Sequence, residues 1–405
     1  MQKPYLENLD EKPKRLPFCD HHIAAFLNGF AGGSQPLDQA LGDYLRAHKS
    51  IGAHDRRAIS ETLFGMIRWK PLIEYFCPSP LPIDQLAAFR SLSLENCFNN
   101  PSIPAHIRFG ISQFLYQRFC KAFGAEKTRD LCRILNGPAP IAIRANLAKI
   151  TRDDLLPRLK ERFQDQIQEF SVFPCSLAPA GIQFDKRVPL FSITEFKEGL
   201  FEMQDEGSQL VAALVDVKPS DQVLDYCSGS GGKTLAFAPA MKGKGQIYLH
   251  DIRPSILLEA KKRLKRAGIQ NGQFLPPGHP HLPFLKGKMD WVLADVPCSG
   301  TGVLRRNPDA KWKIDEAMMQ RLIEEQRKIV AETIPYLKKE GRLVYATCSL
   351  LPEENQEQVD YFLAHHDLVL EKPPLSLLPQ EGGADGFFAA VFRKKESCYD
   401  LPTTP

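Results

Sequence analysis

The segment DYCSGSGGKT, residues 225–234, determines which fold class this chain is assigned to. It ends in Gly-Gly-Lys-Thr, as a nucleoside-triphosphate loop does, but such a loop requires a glycine where this chain has Cys227. A dinucleotide-binding turn fails as well, because its third glycine would fall at Thr234. The apolar run before the turn and the helical pattern after it still predict a strand, a glycine-rich loop and a helix. In such a turn a ligand lies against bare backbone, and that ligand need not carry a phosphate.

The chain after residue 201 alternates between strand-like and helix-like segments. We predict strands at residues 222–226, 246–250, 290–294, 341–346 and 386–392. The helices predicted with them cover residues 208–216, 233–241, 254–267, 316–339 and 352–365. This alternation is typical of the α/β class and predicts a doubly wound, mostly parallel, Rossmann-like sheet. Ligands of such sheets bind beyond the carboxyl ends of the strands.

The chain before this region has a different pattern. Apolar residues three and four apart predict an all-α domain, and a strand at residues 141–145 followed by a helix from Arg152 predicts a small α/β connector. The predicted organisation is a helical domain at residues 18–136, a connector at 137–197, a Rossmann-like domain at 198–396 and a flexible tail at 397–405.

Composition limits the classes of protein that this chain can belong to. The 405 residues are 43% hydrophobic and carry a formal net charge of +4, so a strongly basic nucleic-acid coat is excluded and polyanion contacts must come from local patches. The ten cysteines are scattered without a Cys-x-x-Cys pair, and no apolar signal segment or membrane-length run is present. We expect a cytoplasmic monomer with reduced thiols, without a metal and without a membrane partner.

Reactive or polar side chains follow each predicted strand of the sheet. Asp225 ends the first, and Asp251 ends the second, at the distance from the turn where an acid commonly holds ribose hydroxyls. Asp295 and Cys298 follow the next strand, and Cys348 follows the one after. A lone buried cysteine is usually a small hydrophobic residue, but these two lie just past strands and each precedes a serine. Two thiolates without a Cys-x-x-Cys or a histidine pair also make a poor zinc site.

Two thiols, an acid and an adenosine-bearing cofactor fit one reaction well. Carbon 5 of cytosine attacks a sulfonium methyl group only after a thiolate has added to carbon 6. A base must then remove the carbon 5 proton so that the thiol can leave. One cysteine can attack and the other can assist release, while an acid steadies the protonated ring nitrogen.

Three segments carry a resemblance to a known family. DYCSGSGGKT, DVPCSGTGVLRRNPD and YATCSLLPEENQEQV closely resemble the cofactor and two-cysteine motifs of the Sun-type RNA (cytosine-5) methyltransferases, the bacterial ribosomal RNA small subunit methyltransferase B group. Residues 21–76 resemble the helical, NusB-like RNA-binding domain of that family. The resemblance covers most of the chain.

The resemblance implies roles for individual residues. Cys348 would be the attacking nucleophile, Cys298 would assist release, Asp295 would lie between cofactor and base, and Lys233 would lie near the reacting cytosine. The residues implied to bind S-adenosylmethionine are Cys227, Ser228, Gly229, Ser230, Gly231, Gly232, Lys233, Asp251 and Asp295. Arg305, Arg306 and Lys311 follow Cys298, and we expect them to be able to contact the RNA backbone.

Two departures from the family pattern affect the cofactor site. Ser228-Gly229-Ser230 replaces the common Ala-Ala-Pro and should loosen the turn, and no acid in GQFLPPGHPHLPF matches the one often found near the adenine amino group.

The substrate implied by the resemblance is small-subunit ribosomal RNA, with transfer RNA as an alternative. The rival functions are a methyltransferase acting on protein or small molecules and a catalytically silent, RNA-binding ribosome-assembly factor.

Overall fold

The structure is a computed structural model that describes residues 16–30, 35–164, 167 and 169–395. The tail predicted at residues 397–405 lies outside the described residues. The chain divides into two compact units: the segment up to Tyr116 together with residues 307–313, and the remainder. Among the helices of the described residues, none combines the length and the apolar character needed to span a membrane.

The first unit is helical wherever regular structure is described in it. Its helices are α1 Phe18–Gly29, α2 Leu37–Ala47, α3 Ala53–Arg68, α4 Lys70–Phe76, α5 Pro82–Ser91, α6 Leu94–Asn99 and α7 Ala105–Arg108. Ile59 and Leu63 of α3 are fully buried in its core, as the spacing of apolar residues predicts. The prediction of an all-α amino-terminal region is therefore confirmed.

The second unit contains a small antiparallel sheet. The helix α8 Gln113–Phe123 begins in the first unit, and α9 Ala125–Asn136 precedes the sheet. The strands β1 Ile141–Ala145, β2 Val172–Pro174, β3 Gly181–Phe184 and β4 Phe201–Met203 pair in the order β2-β3-β1-β4. One face packs against α10 Arg152–Gln164, while α11 Thr194–Lys197 precedes β4. β4 lies beyond residue 197, where the connector was predicted to end.

The large sheet of the second unit has eight strands. They are β5 Gln222–Asp225, β6 Gln246–His250, β7 Gly272–Leu275, β8 Met289–Asp295, β9 Leu337–Thr347, β10 Leu368–Leu370, β11 Leu375–Leu377 and β12 Phe387–Lys394. Their order is β10-β12-β9-β8-β5-β6-β7, with β11 pairing β12; β5 to β9 are mutually parallel and β10 to β12 pair antiparallel. The accompanying helices are α12 Glu206–Ala212, α13 Thr234–Phe237, α14 Pro254–Ala267, α15 Glu316–Thr333 and α16 Gln356–His365. The predicted Rossmann-like fold is confirmed.

The strand order reverses at β5, which pairs with β6 on one side and β8 on the other. Ligands of open α/β sheets bind at such a switch point, beyond the carboxyl ends of the strands. The loops after β5 and β8 are the segments that begin at Tyr226 and Val296. The topology therefore brings the glycine-rich turn and the Cys298 loop to the same edge of the sheet.

Two of the predicted helices that prove shorter than expected end near a proline. The helix predicted at 233–241 is α13 followed by a 3-10 turn that contains Pro239. The helix predicted at 316–339 ends with α15, because a 3-10 turn containing Pro335 precedes β9. Proline lacks the backbone N–H that a helix interior needs, so each helix ends close to it.

Candidate active site

The glycine-rich turn after β5 is held by backbone hydrogen bonds. Gly231 donates from its backbone N–H to Ser228 O over 2.9 Å, and Gly229 donates to Asp251 Oδ2 over 2.9 Å. Gly229 and Gly231 have φ values of 52° and 78°, which non-glycine residues adopt only at a cost. The turn therefore needs glycine at these two positions, although it matches neither standard phosphate motif.

Arg263 of α14 forms hydrogen bonds with the turn. Its Nη1 donates to Ser230 Oγ over 2.5 Å and to Ser230 O over 3.0 Å, while its Nη2 pairs with Glu202 over 3.1 Å. Arg266 pairs with the same carboxylate. The Ser-Gly-Ser sequence predicts a looser turn than the common Ala-Ala-Pro. In the structure, Arg263 forms hydrogen bonds with Ser230, at the position where the family commonly has a proline.

A cavity of about 710 Å³ lies beside the turn, within the size range of small-molecule sites. Of the residues that the sequence implicated in cofactor binding, it is lined by Cys227, Ser228, Gly229, Ser230, Gly232, Lys233, Asp251 and Asp295. Gly231 is not among the lining residues, because its position faces the packed helix α14: a Cβ there would lie 3.1 Å from Leu264. Its assignment to the cofactor site therefore stays a prediction.

Residues far from the glycine turn complete the cavity. Met203 is the last residue of β4, and Gln204 follows it. Glu325, Lys328 and Ile329 belong to α15. No local motif marks the three α15 positions, since they reach the cavity only through tertiary packing. The histidines of the segment after β7, His279 and His281, do not line it.

The hydrogen bonds of the Asp225 carboxyl group indicate which kind of ligand fits the cavity. Its Oδ2 accepts from Thr234 Oγ1 over 2.6 Å, but its buried Oδ1 has no hydrogen-bond partner among the described atoms. Burial raises the pKa of Asp225 to about 7, against a smaller lowering by the Thr234 hydrogen bond. A buried carboxylate oxygen without a partner at the cavity wall fits a ligand with a cationic or hydrogen-bond-donating group.

Asp251 is positioned as an acceptor at the tip of β6. Its oxygens accept from the backbone N–H groups of Gly229 and Arg253 and from the Arg253 side chain. Burial raises the pKa of Asp251, but the Arg253 hydrogen bonds lower it by more, so the carboxylate is ionised. The Arg253 side chain is mostly exposed, so it can move aside for a ligand hydroxyl.

The two cysteines named from the sequence are adjacent. Cys298 Sγ and Cys348 Sγ lie 3.3 Å apart, and the backbone N–H of Cys348 donates to Cys298 Sγ over 3.3 Å. Both side chains are half-buried. The hydrogen bond with Cys348 and then burial raise the pKa of Cys298 well above its ordinary value. Neither sulfur lines the cavity beside the glycine turn.

Lys233 connects this cavity with the cysteine pair. It forms an ion pair with Asp295, and both residues line the cavity. Burial lowers the pKa of Lys233, but the charge and hydrogen bond of Asp295 raise it by more, and Cys348 contributes to the increase. The Lys233 Nζ atom also lies 5.7 Å from the centre of the Phe387 ring, which packs in one apolar cluster with Cys348. No feature of the sequence marks Phe387 as part of the site.

The basic residues that follow Cys298 pair with groups of the protein, and two of the three are buried. Arg305 is 2% exposed and pairs with Asp385, and Arg306 pairs with Asp385 and Asp205. Lys311 is 1% exposed and donates to the backbone oxygens of Arg68 and Gly110 within the first unit. The expectation that Arg305 and Lys311 contact the RNA backbone is wrong, because both side chains are buried and donate to groups of the protein itself. The Arg306 side chain is 33% exposed, and its contact with RNA stays a prediction. Within the described ranges, no group of three or more His, Cys, Asp or Glu residues could hold a metal ion.

Comparisons with known proteins show the family to which the chain belongs. Residues 212–393 match the family model of 16S rRNA methyltransferase RsmB/F, and residues 111–190 match the model of the RsmF/B-like ferredoxin-like domain. The chain is 31% identical over 410 residues to ribosomal RNA small subunit methyltransferase B of Photorhabdus laumondii, covering 97% of this chain and 91% of that protein.

Solved structures show the same fold. The crystal structure of PH0851 superposes with a TM-score of 0.76 at 22% identity, covering 94% of this chain and 99% of that one. A methyltransferase homolog protein from Pyrococcus horikoshii superposes with a TM-score of 0.61 at 26% identity, covering 73% of this chain and 99% of that one.

Proposed function

Because the chain belongs to the 16S rRNA methyltransferase RsmB/F family, we propose that it methylates carbon 5 of a cytosine in small-subunit ribosomal RNA, with S-adenosylmethionine as donor. The observation that carries this proposal is the pair of sulfur atoms 3.3 Å apart at the carboxyl edge of the sheet. A methyltransferase acting on a strong nucleophile has no need of two thiols. Methylation at cytosine carbon 5 needs one to activate the ring and is helped by a second.

The residues around the cavity fit the proposed donor. S-adenosylmethionine supplies an electrophilic methyl group on a positively charged sulfur. The unpartnered oxygen of Asp225 and the carboxylate of Asp295 offer negative charge to a cationic ligand, and Asp251 offers acceptors to ribose hydroxyls. The turn with Gly229 leaves backbone exposed along one wall.

Cys348 is proposed to begin the reaction. Its thiolate adds to carbon 6, forming a sulfur–carbon bond, and the electrons of the ring double bond move to carbon 5, which accepts the methyl group. The ammonium of Lys233 lies close enough to interact with a charge on Cys348. Asp295, held by Lys233, is available to steady the protonated ring nitrogen.

Release requires the reverse of the addition. The remaining proton on carbon 5 passes to a base, its electron pair restores the ring double bond, and the bond between carbon 6 and Cys348 breaks. Cys298 is the side chain placed to assist, since its sulfur lies 3.3 Å from the leaving sulfur.

A base that reacts in this way must leave its stack to enter the site. Phe387 is the aromatic side chain next to Lys233 and in the apolar cluster with Cys348. We propose that it packs against the flipped cytosine, because aromatic faces hold unstacked bases without selecting their sequence.

Transfer of a tritiated methyl group from S-adenosylmethionine to ribosomal RNA from a strain lacking this gene tests the function. We expect labelled 5-methylcytidine from the wild-type protein and from the control Cys120→Ala, which alters a half-buried thiol of α8 outside the site. Cys348→Ala should lose activity by on the order of a thousandfold or more, as covalent enzymes do without their nucleophile, while still binding S-adenosylmethionine.

Retained turnover in Cys348→Ala would exclude this nucleophile. Label in a different nucleoside would exclude the proposed reaction, and an absence of labelled RNA with every variant would favour the silent assembly factor.

A further inference from the structure

The serines that directly follow the two cysteines are hydrogen-bonded to each other. Ser299 Oγ lies 3.1 Å from Ser349 Oγ, and Thr301 Oγ1 lies 3.1 Å from Ser349 Oγ. Thr301 Oγ1 also accepts from the backbone N–H of Leu350 over 2.8 Å. These hydroxyl groups are buried, so they join the Cys298 and Cys348 loops out of contact with water.

The carboxylate of Glu354 lies under this cluster and is 0% exposed. Its Oε1 accepts from the backbone N–H of Ser299 over 2.8 Å and from Gln326 Nε2 over 3.0 Å, and its Oε2 accepts from Ser299 Oγ over 2.5 Å. All three partners are groups that can donate to carboxylate oxygens. Among the described residues, no lysine or arginine pairs with it, so its negative charge is not neutralised by an adjacent cation.

The surrounding elements hold Glu354 and its partners in place. Gln326 Nε2 also donates to Pro297 O over 3.1 Å, while its Oε1 accepts from Gln358 of α16 and lies 3.2 Å from the Tyr345 hydroxyl of β9. Tyr345 donates to the backbone oxygen of Glu354 over 2.7 Å. A buried polar network in which every member has partners is rigid, and it fixes the backbone on both sides of Cys298.

We propose that Glu354 is a positioning residue that makes the two cysteines unequal: it holds the turn around Cys298 and places a buried negative charge on that side of the pair, whereas Lys233 places a positive charge near Cys348. Two sulfurs 3.3 Å apart cannot readily carry a negative charge at the same time. The buried anion beside Cys298 therefore disfavours negative charge on that sulfur. Glu354 is one of the groups that raise the pKa of Cys298, after Cys348 and burial.

This inference rests on the proposed function for the roles of the cysteines, but it has a test that needs no RNA. In the Cys348→Ala background, Cys298 would be alkylated with iodoacetamide over a range of pH and its peptide quantified by mass spectrometry. We expect Glu354→Gln to move the midpoint of alkylation to lower pH. Glu353→Gln is the matched control, because Glu353 pairs with Arg118 rather than with the cysteine loops, and it should leave the midpoint unchanged.

The second readout follows the release step in proteins that retain both cysteines. Glu354→Gln should accumulate enzyme covalently linked to RNA, with release slowed by on the order of tenfold to a hundredfold because the Cys298 turn is displaced. Ser299→Ala keeps the charge of Glu354 but loses one hydrogen bond, so it should slow release without moving the alkylation midpoint. Glu353→Gln should do neither.

An unchanged alkylation midpoint in Glu354→Gln, or equal shifts in Glu354→Gln and Glu353→Gln, would overturn the inference. If Glu354→Gln does not fold, normal release in Ser299→Ala would overturn it. A shifted midpoint in a protein that forms no 5-methylcytidine would uphold the electrostatic effect of Glu354 while rejecting the proposed function, so the two failures can be told apart.

Discussion

Asp225 is a cavity residue whose ionisation depends on burial. Its Oδ1 has no partner among the described atoms, and burial raises its pKa to about 7. Asp295 and Asp251 add to the increase, while the Thr234 hydrogen bond and the charge of Lys233 oppose it. The carboxyl group therefore gains or loses its charge near neutral pH.

This shift predicts a pH dependence of cofactor affinity. A cationic ligand favours the ionised form of Asp225, so binding below the pKa must displace a proton, and affinity for S-adenosylmethionine should rise as pH increases from about 6 towards 7 and then level off. Asp225→Asn should bind more weakly at about pH 8 and lose this dependence. Isothermal titration calorimetry in buffers of different ionisation enthalpy measures both quantities. The same pH profile in the wild type and Asp225→Asn would show that Asp225 does not titrate on binding.

The identities of reactive residues were easier to predict than the surroundings of charged ones. Cys298 and Cys348 were recognised because each follows a strand end and precedes a serine. Arg305 and Lys311 look like RNA contacts in the sequence, yet both are buried against protein acceptors. The groups that bind them lie far away in the chain, so local sequence contains no signal of their burial.

At the level of the elements, the site depends on the close approach of two loops and the last strand. The backbone N–H of Gly302 donates to Cys348 O over 2.8 Å, and Gly386 donates to Gly302 O over 3.0 Å. A Cβ at Gly302 would lie 2.2 Å from Gly386 O and 2.9 Å from Cys348 O. These neighbours are backbone atoms, which cannot move aside as the end of a flexible side chain can. Any side chain at position 302 must therefore push the loops apart.

Gly302→Ala should therefore impair methyl transfer more than cofactor binding. A displacement of about 1 Å between the cysteine loops would reduce the rate of methylation on the order of a hundredfold, whereas the affinity for S-adenosylmethionine should change little. Gly29→Ala is the control, because a Cβ at that helical position meets nothing within 4 Å. Single-turnover kinetics measures the rate of methylation, and isothermal titration calorimetry measures the affinity for S-adenosylmethionine. Full activity in Gly302→Ala would mean that the loops tolerate separation.

The central strands were predicted well because their apolar runs are short and bounded by turns. The strand at 246–250 matches β6 residue for residue, and the helix at 254–267 matches α14. β9 begins at Leu337, inside the predicted helix, where Leu337 pairs with Met289 of β8. The register with β8 is then interrupted and resumes where Arg342 pairs with Trp291. The short edge strand β10 was missed, since three residues carry too little periodicity.

At the scale of the whole molecule, segments distant in the sequence are joined by buried ion pairs within the second unit. Asp385, which is 0% exposed, pairs with Arg305 and Arg306 after the Cys298 loop, and Arg306 also pairs with Asp205 at the start of α12. Residues 307–313 between these segments belong to the first unit. The predicted strand order is enough to predict that the two cysteines converge. No pattern in the sequence indicates which charged residues pair, or that residues 307–313 belong to the first unit.

Asp385→Asn should destabilise the second unit by about 3 kcal/mol or more, because removing one partner of a buried pair leaves the other charge uncompensated. Glu340→Gln is the control: it breaks the more exposed pair with Arg393 and should cost no more than about 1 kcal/mol. Urea unfolding followed by circular dichroism compares the two. Equal losses in both variants would contradict the structural importance of Asp385.

The central claim is that Cys348 bonds to the RNA and Cys298 allows its release, and the most direct measurement uses Cys298→Ala. Incubated with S-adenosylmethionine and substrate ribosomal RNA, this variant should give a slow band on a denaturing gel. Nuclease and protease digestion followed by mass spectrometry should identify a methylated cytidine attached to the peptide that contains Cys348. Normal turnover without a covalent complex, or attachment at any other residue, would contradict the account.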